Sequence, residues 1–425
     1  MSRKVKNIIM ITIIIIVCIA SGFTIKLAKE SGEETNQGNP PQMSNSSGEN
    51  NSNGQMGTPP NGMGGNTQMQ KNSSGNNQGT PPSKPDDSNG NNSAILAKNG
   101  ANLTIKNATI TTEADGANGV FSYGGSATTN NSSSDGTTIT ISDSTITTTG
   151  DNAGGIMTTG GGTTNASNLT INASGTSSAA IRSDRGGGTV KVNGGTYTTT
   201  GNGSPSIYST ADITVNDATL VAKASEGIVI EGANTVTINN CDLTDSNTKL
   251  NGQSTTYKNI FLYQSMSGDA SNGNATFTAK NSKIITNNGD TFYITNTTAT
   301  INLANNTIVN NDSTGNFLRA QKDSWGNTGS NGGDVTLIMT QQNAGGNIVI
   351  DSISTLDMTM NENSYYEGTI NGSNEAKSIT LKLDSTSKIK LTGDSYITSL
   401  EDDDTTYSNI DFNGYKLYVN GVAIN

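Results

Sequence analysis

Arg182, Asp184 and Arg185, in the run Ala180-Ile-Arg-Ser-Asp-Arg185, form with Glu231 the one constellation in this chain whose residue types suggest acid–base chemistry. Two carboxylates beside two guanidiniums can move a proton or grip an anionic substrate. An arginine base needs a lowered pKa, which the guanidinium resists. Ion pairing of Arg182 or Arg185 with Asp184 or Glu231 is the simpler use of the four. The chain has no histidine, which excludes Ser–His and Cys–His nucleophile systems. Gly186-Gly-Gly188 follows a strand but opens no helix, so it is no phosphate cradle. No catalytic residue is assigned.

Aromatic residues offer a different chemistry. A strand recurs as Gly119-Val-Phe-Ser-Tyr123, Ser206-Ile-Tyr-Ser-Thr210, Asn259-Ile-Phe-Leu-Tyr263, Thr291-Phe-Tyr-Ile-Thr295 and Asn316-Phe-Leu-Arg-Ala320. Its second residue is always apolar and is read as inward. Strand alternation then sends the third and fifth outward. The outward columns so defined hold Tyr208, Phe261, Tyr263 and Tyr293, ending at Leu318 and Ala320. Insertions after this strand, at Gly124 to Asp135, Gly160 to Ser167, Ser265 to Asn274 and Lys322 to Gly333, are expected to wall the columns into a groove. The last insertion holds Trp325, the chain's one tryptophan. Sugar rings stack their apolar faces on aromatics while polar groups take their hydroxyls. Tyr208, Phe261, Tyr263, Tyr293 and Trp325 are therefore the expected platforms of a glycan site, with Arg182, Asp184, Arg185 and Glu231 as polar partners. The alternative is that the insertions fold down and bury the column.

The elements that must position these residues follow from a repeat. Apolar-x-Asn/Asp-x-x-apolar reads Ile105-Lys-Asn107-Ala-Thr-Ile110, Ile141-Ser-Asp143-Ser-Thr-Ile146, Val215-Asn-Asp217-Ala-Thr-Leu220 and Ile238-Asn-Asn240-Cys-Asp-Leu243. Its first apolar position recurs at 105, 141, 171, 192, 215, 238, 279, 303, 339, 360, 383 and 412, with a shortest spacing of 21 residues. Apolar residues alternate before the turn, which is the strand period. Asn, Asp and Gly tolerate the left-handed angles that a tight corner needs. A fixed period of this size means stacked coils.

The pattern resembles the right-handed parallel β-helix of the pectate-lyase-like superfamily, and adhesin-like surface proteins of anaerobic bacteria and archaea. The resemblance covers residues 93 to 425. It implies an all-β, single-stranded solenoid of about 11–12 coils, a rod of about 55 Å at the usual strand spacing. Hydrolases of this fold carry a Gly-His-Gly element, absent here. Calcium-dependent lyases use several acidic ligands and an Arg or Lys base, and the Arg182/Asp184/Arg185/Glu231 group is the only candidate for that role. Some relatives bind polysaccharide without cleaving it.

Apolar residues make up only 31% of the chain, a fraction that often means disorder. Periodicity overrules it, because stacked coils hydrogen-bond along the whole axis. Arg3, Lys4 and Lys6 precede an apolar run from Ile8 to Phe23, a signal peptide or signal-anchor over residues 1–30. Residues 31–92 are rich in Asn, Gly, Ser and Pro and read as a disordered linker. The chain is therefore expected at the cell surface or outside the cell, secreted or anchored by its front, touching membrane only there. Net charge is −11, with no basic stripe for nucleic acid. No cofactor is expected. Ca²⁺ is a possible exception at Glu401-Asp402-Asp403-Asp404, although that run matches no EF-hand loop. Cys241 sits in a repeat turn as a small packed residue.

The function that follows is non-catalytic binding of polysaccharide or another surface partner. The alternatives are a polysaccharide lyase, or a structural coat that self-associates. Tyr407 to Asn425 is expected to close the C-terminal end.

Overall fold

The computed structural model describes residues 92–125, 134–250 and 254–425. The expected signal segment, all but the last residue of the linker, and most of the Gly124–Asp135 insertion lie outside them. The described chain is all-β, with parallel strands stacked in chain order, as a β-helix requires.

Each coil contributes to up to three faces. The long face is a run of twelve strands, from Asn102–Lys106 through Thr138–Ser142, Gly162–Ala173, Gly188–Thr199, Asp212–Asn216, Thr235–Asn239, Asn274–Lys280, Thr297–Ala304, Gly333–Thr340, Thr355–Asn361 and Ser378–Leu383 to Ser399–Asp402. The second face carries short strands such as Thr109–Thr112, Thr145–Thr148, Thr219–Ala222, Asp242–Asp245, Lys283–Thr286 and Thr307–Asn310. Gly162–Ala173 and Gly188–Thr199 run through the corner and belong to both faces. The third face is a 10-stranded sheet running from Ile95–Ala97 to Ile348–Ile350. It carries the candidate site.

The corner between the first two faces is where the motif does its work. Asn107, Asp143, Asp217, Asn240 and Asn305 all have φ between 51° and 54°. L-residues other than Asn, Asp and Gly enter that region only at a cost. At Gly195 glycine is required: φ is +100°, and a Cβ would stand 2.4 Å from the Leu169 carbonyl oxygen. Amides after the corner are satisfied inside the rod by a ladder of buried side chains. Ala108 N donates to Ser144 Oγ at 3.0 Å, Cys241 N to Ser282 Oγ at 3.1 Å, Ser282 N to Asn306 Oδ1 at 2.9 Å and Asn306 N to Gln342 Oε1 at 2.8 Å. Cys241 is a buried rung of this ladder.

Inward positions form one continuous core from Ala97 to Leu417. Phe277, Phe292, Phe317 and Tyr366 line up in it at centroid distances of 6.0, 5.5 and 6.1 Å. The register keeps Ile105, Ile141, Val192, Val215, Ile238, Ala279, Leu303, Met339, Met360 and Leu383 in one column, as the repeat implies.

Two copies need correction. Ala166, not Ile171, occupies the column beside Ile141, and Ile171 pairs with Ile146 on the second face. A small alanine hid the true copy. Phe412 also lies outside the column, whose last rung is Asp402 opposite Leu383. The Gly160–Ser167 segment is not an insertion. Most of it is the start of the Gly162–Ala173 strand.

The C-terminal end departs from parallel pairing. Leu417–Val419 pairs antiparallel with Val422–Ala423, and Tyr418 stacks on Tyr396 at 4.7 Å. This antiparallel return lies within the Tyr407 to Asn425 segment expected to close the end.

Candidate functional site: a capped aromatic and carboxylate column

The third face presents its outward residues away from the main core, as alternation requires. Tyr208, Val229, Phe261 and Tyr293 follow one another on successive strands, while their neighbours Ile207, Ile228, Ile260 and Phe292 belong to the main core. The column ends differently from expectation. Tyr293 pairs with Arg319 and Phe292 with Leu318, so Leu318 points inward and Arg319 outward. The strand lies one residue out of the expected register there, and a slip of one exchanges the faces.

The column is not an open groove. Tyr208, Phe261, Tyr263, Tyr293 and Trp325, with Ala179 and Val229, form a second buried cluster in which no residue exceeds 6% exposure. Phe261 stacks on Tyr263 at 4.4 Å and 17°. Trp325 folds down to 5.3 Å from Phe261 and 5.4 Å from Tyr263. Its loop is tied by Asn331, whose Nδ2 donates to the carbonyls of Asp323 and Trp325 at 2.7 and 2.8 Å. Tyr293 Oη donates to Asp323. The insertions bury the rings rather than wall a slot. Each ring removes apolar surface from water worth about 2 kcal/mol or more, which favours the closed arrangement.

The four charged residues do not converge on one vacant point. Arg182 donates to Asp184 Oδ2 at 3.2 Å and to the carbonyls of Asn152 and Ser177 at 2.9 and 3.3 Å. Arg185 pairs with Asp269, a residue of the covering loop that sequence reasoning missed. Glu231 meets neither arginine. Its Oε2 accepts from Tyr208 Oη and, at 3.1 Å, from Tyr263 Oη, and its Oε1 accepts from Ser265 Oγ. The expected ion pairing therefore holds for Arg182 with Asp184, while Arg185 and Glu231 take other partners. Ser265 and Asp269 lie in a non-repeating insertion, where no period could place them.

Burial sets the electrostatics. It pushes the Glu231 carboxyl up to about 7, with the Asp269 charge adding to the rise and the three hydroxyl bonds opposing it. Burial likewise raises Tyr208 and Tyr263, and the nearby Glu231 adds to both shifts, so both phenols stay protonated donors. Glu231 thus fastens the loop from Ser265 to Asp269 onto the sheet. A shallow opening on this face is lined by Ser177, Ala179, Arg182, Gly203, Pro205 and Tyr208.

Among the described residues no three His, Cys, Asp or Glu side chains are grouped to hold a metal, and no helix is long and apolar enough to cross a membrane. In the acidic run, Asp404 accepts from Thr406 and Ser408 in a turn. No family model, no curated protein and no solved structure matches this chain.

Proposed function

We propose that this chain is an exported, non-catalytic binding rod that attaches to polysaccharide or to another cell-surface partner. The observation that supports this is the long face. Its outward positions stack into continuous columns, such as Thr214, Thr237 and Thr278 beside Thr235, Thr276 and Thr300. These side chains remain partly accessible, whereas the rings of the third face are covered. Successive rungs repeat at about 4.8 Å. Threonine offers a methyl and a hydroxyl together and is stiff at χ1, so contact with a repeating polymer costs little side-chain entropy. Net charge of −11 disfavours anionic polymers, and neutral glycans fit better. With the rings closed, the binding role passes from Tyr208, Phe261, Tyr263, Tyr293 and Trp325 to this open face.

No observation favours the lyase reading. Glu231 is enclosed, and both arginines are engaged. We read the winding as right-handed and pectate-lyase-like, since parallel crossovers take that hand almost without exception.

The test is sedimentation of the full chain with insoluble neutral polysaccharides. Replacing Thr214, Thr237 and Thr278 by Glu should weaken binding at least about tenfold, a loss of about 1.4 kcal/mol, with unchanged circular dichroism. Undiminished binding by that triple variant would sink the long-face reading. Ultraviolet-absorbing unsaturated products from pectin or alginate would revive the lyase. Light scattering that rises with protein concentration alone would favour the self-associating coat.

A further inference from the structure

Beneath the loops of the third face lies a buried pair that takes no part in the Glu231 network. Lys258 opens the strand Lys258–Tyr263, and its Nζ is 3.8 Å from Glu226 Oε1, with side chains 0% and 5% exposed. Ile228 pairs with Ile260, so Glu226, two residues before Ile228, stands one coil from Lys258. Three rings roof the nitrogen, Phe261 at 4.5 Å, Tyr293 at 4.9 Å and Trp325 at 5.9 Å. Nζ donates to Ser254 Oγ at 2.5 Å and to the Thr256 carbonyl at 3.0 Å, which hold it in place.

The carboxyls around it are not equivalent. Asp290, opposite Lys258 on the other side, is already engaged by Asn316 N at 2.8 Å, Asn316 Nδ2 at 2.6 Å and Arg319 Nε at 2.5 Å. Glu226 Oε2 accepts from Ser225 Oγ at 2.7 Å, leaving Oε1 turned toward the amine. Both charges stand out of water, where an ion pair recovers its desolvation cost only with excellent geometry. At 3.8 Å this pair lacks a direct hydrogen bond. Burial pulls the Lys258 ammonium below its ordinary value, against the opposing pull of Glu226, Asp323 and Asp290. A desolvated lysine of this kind is a nucleophile.

We propose that Lys258 and Glu226 condense into an intramolecular amide that staples two neighbouring coils. The ammonium proton first passes to the carboxylate, giving a neutral amine and a neutral acid. The amine lone pair attacks Cδ of Glu226 and the N–C bond forms. The C–OH bond then breaks, and the hydroxyl leaves as water with the second proton from nitrogen. No oxidant or co-reactant is needed. The Ser225 hydroxyl orients the carboxyl, and the aromatic roof keeps water from the joined groups. The product replaces two buried charges by one neutral amide and joins residues 32 apart in sequence, 226 and 258.

The full chain, purified folded, then denatured and digested with trypsin, decides the matter by tandem mass spectrometry. The expected result is segment 224–249 joined to segment 250–280, uncut after Lys258 and lighter by one water than the two free peptides together. Fragment ions should place the junction at Glu226 and Lys258 rather than at the Lys249–Leu250 bond. Lys258→Arg keeps the cation and should lose the joined species. A free peptide 250–258 from folded wild-type protein would show an ion pair only and overturn the proposal. So would a joined species that persists in Lys258→Arg.

Discussion

Glu231 is the residue on which the capped face turns. Its folded-state value of about 7 lies above the ordinary 4.5. The sign follows directly: the folded state binds the proton more tightly, so the stabilisation is complete below about pH 4.5 and is lost as pH rises through about 7. Burial raises Asp245 in the same direction. We expect the melting temperature to fall between about pH 5 and 8, with Glu231 accounting for on the order of 3 kcal/mol at most. Glu231→Gln should flatten that slope, and the double variant with Asp245→Asn should remove most of it. A melting profile independent of pH in the wild type would count against this account. The corner residues carry a separate prediction. Asn305 has φ 53°, and Asn305→Ala should cost about 1–2 kcal/mol, whereas Asn305→Gly should cost less, measured by chemical denaturation. Gly195→Ala should cost more than either, because its new Cβ meets the Leu169 backbone.

At the scale of elements, two insertions change what the third face is. The repeat made the outward direction of Tyr208, Phe261 and Tyr293 legible, since alternation is local. Whether that direction met solvent was not legible. It depends on where Trp325 and Asp269 come to rest, and both sit in segments without a period. Trp325 lies across Phe261 and Tyr263, and Asp269 grips Arg185. Trp325→Ala should cost about 3–5 kcal/mol if the cluster cannot collapse. It should raise hydrogen exchange in the strand Lys258–Tyr263 before it affects Thr276–Lys280 on the long face. Equal exchange in both would mean that the cap is not a separate layer. The register slip at Leu318 has a similar origin. Phe317 and Leu318 are both apolar, so the pattern alone could not choose which one faces inward. Both do, since Phe317 and Leu318 are each buried in the main core.

On the scale of the whole molecule, stability is the sum of neighbouring coils. The end is therefore a distinct problem, since an exposed parallel edge invites further strands. The antiparallel return at Val422–Ala423 covers the Leu417–Val419 edge. Removal of residues 395–425 should leave a chain that aggregates with concentration, seen by light scattering, while the intact chain stays dispersed. Scattering at low angle should show a rod, with twelve rungs spanning about 55 Å.

The sequence by itself determined the winding. Period, alternation and corner chemistry are all short-range, and stacked coils turn short-range order into global order by repetition. It also determined the inward column and the left-handed corners. The tertiary structure alone decided which outward surface stays open. It did so by laying aperiodic loops over the aromatic column, where burying rings gains more than exposing them. The same packing enclosed Lys258 with Glu226, a proximity that no local spacing announces. Residues 32 apart meet there because an inserted loop lengthens the coil, and that loop has no sequence period of its own.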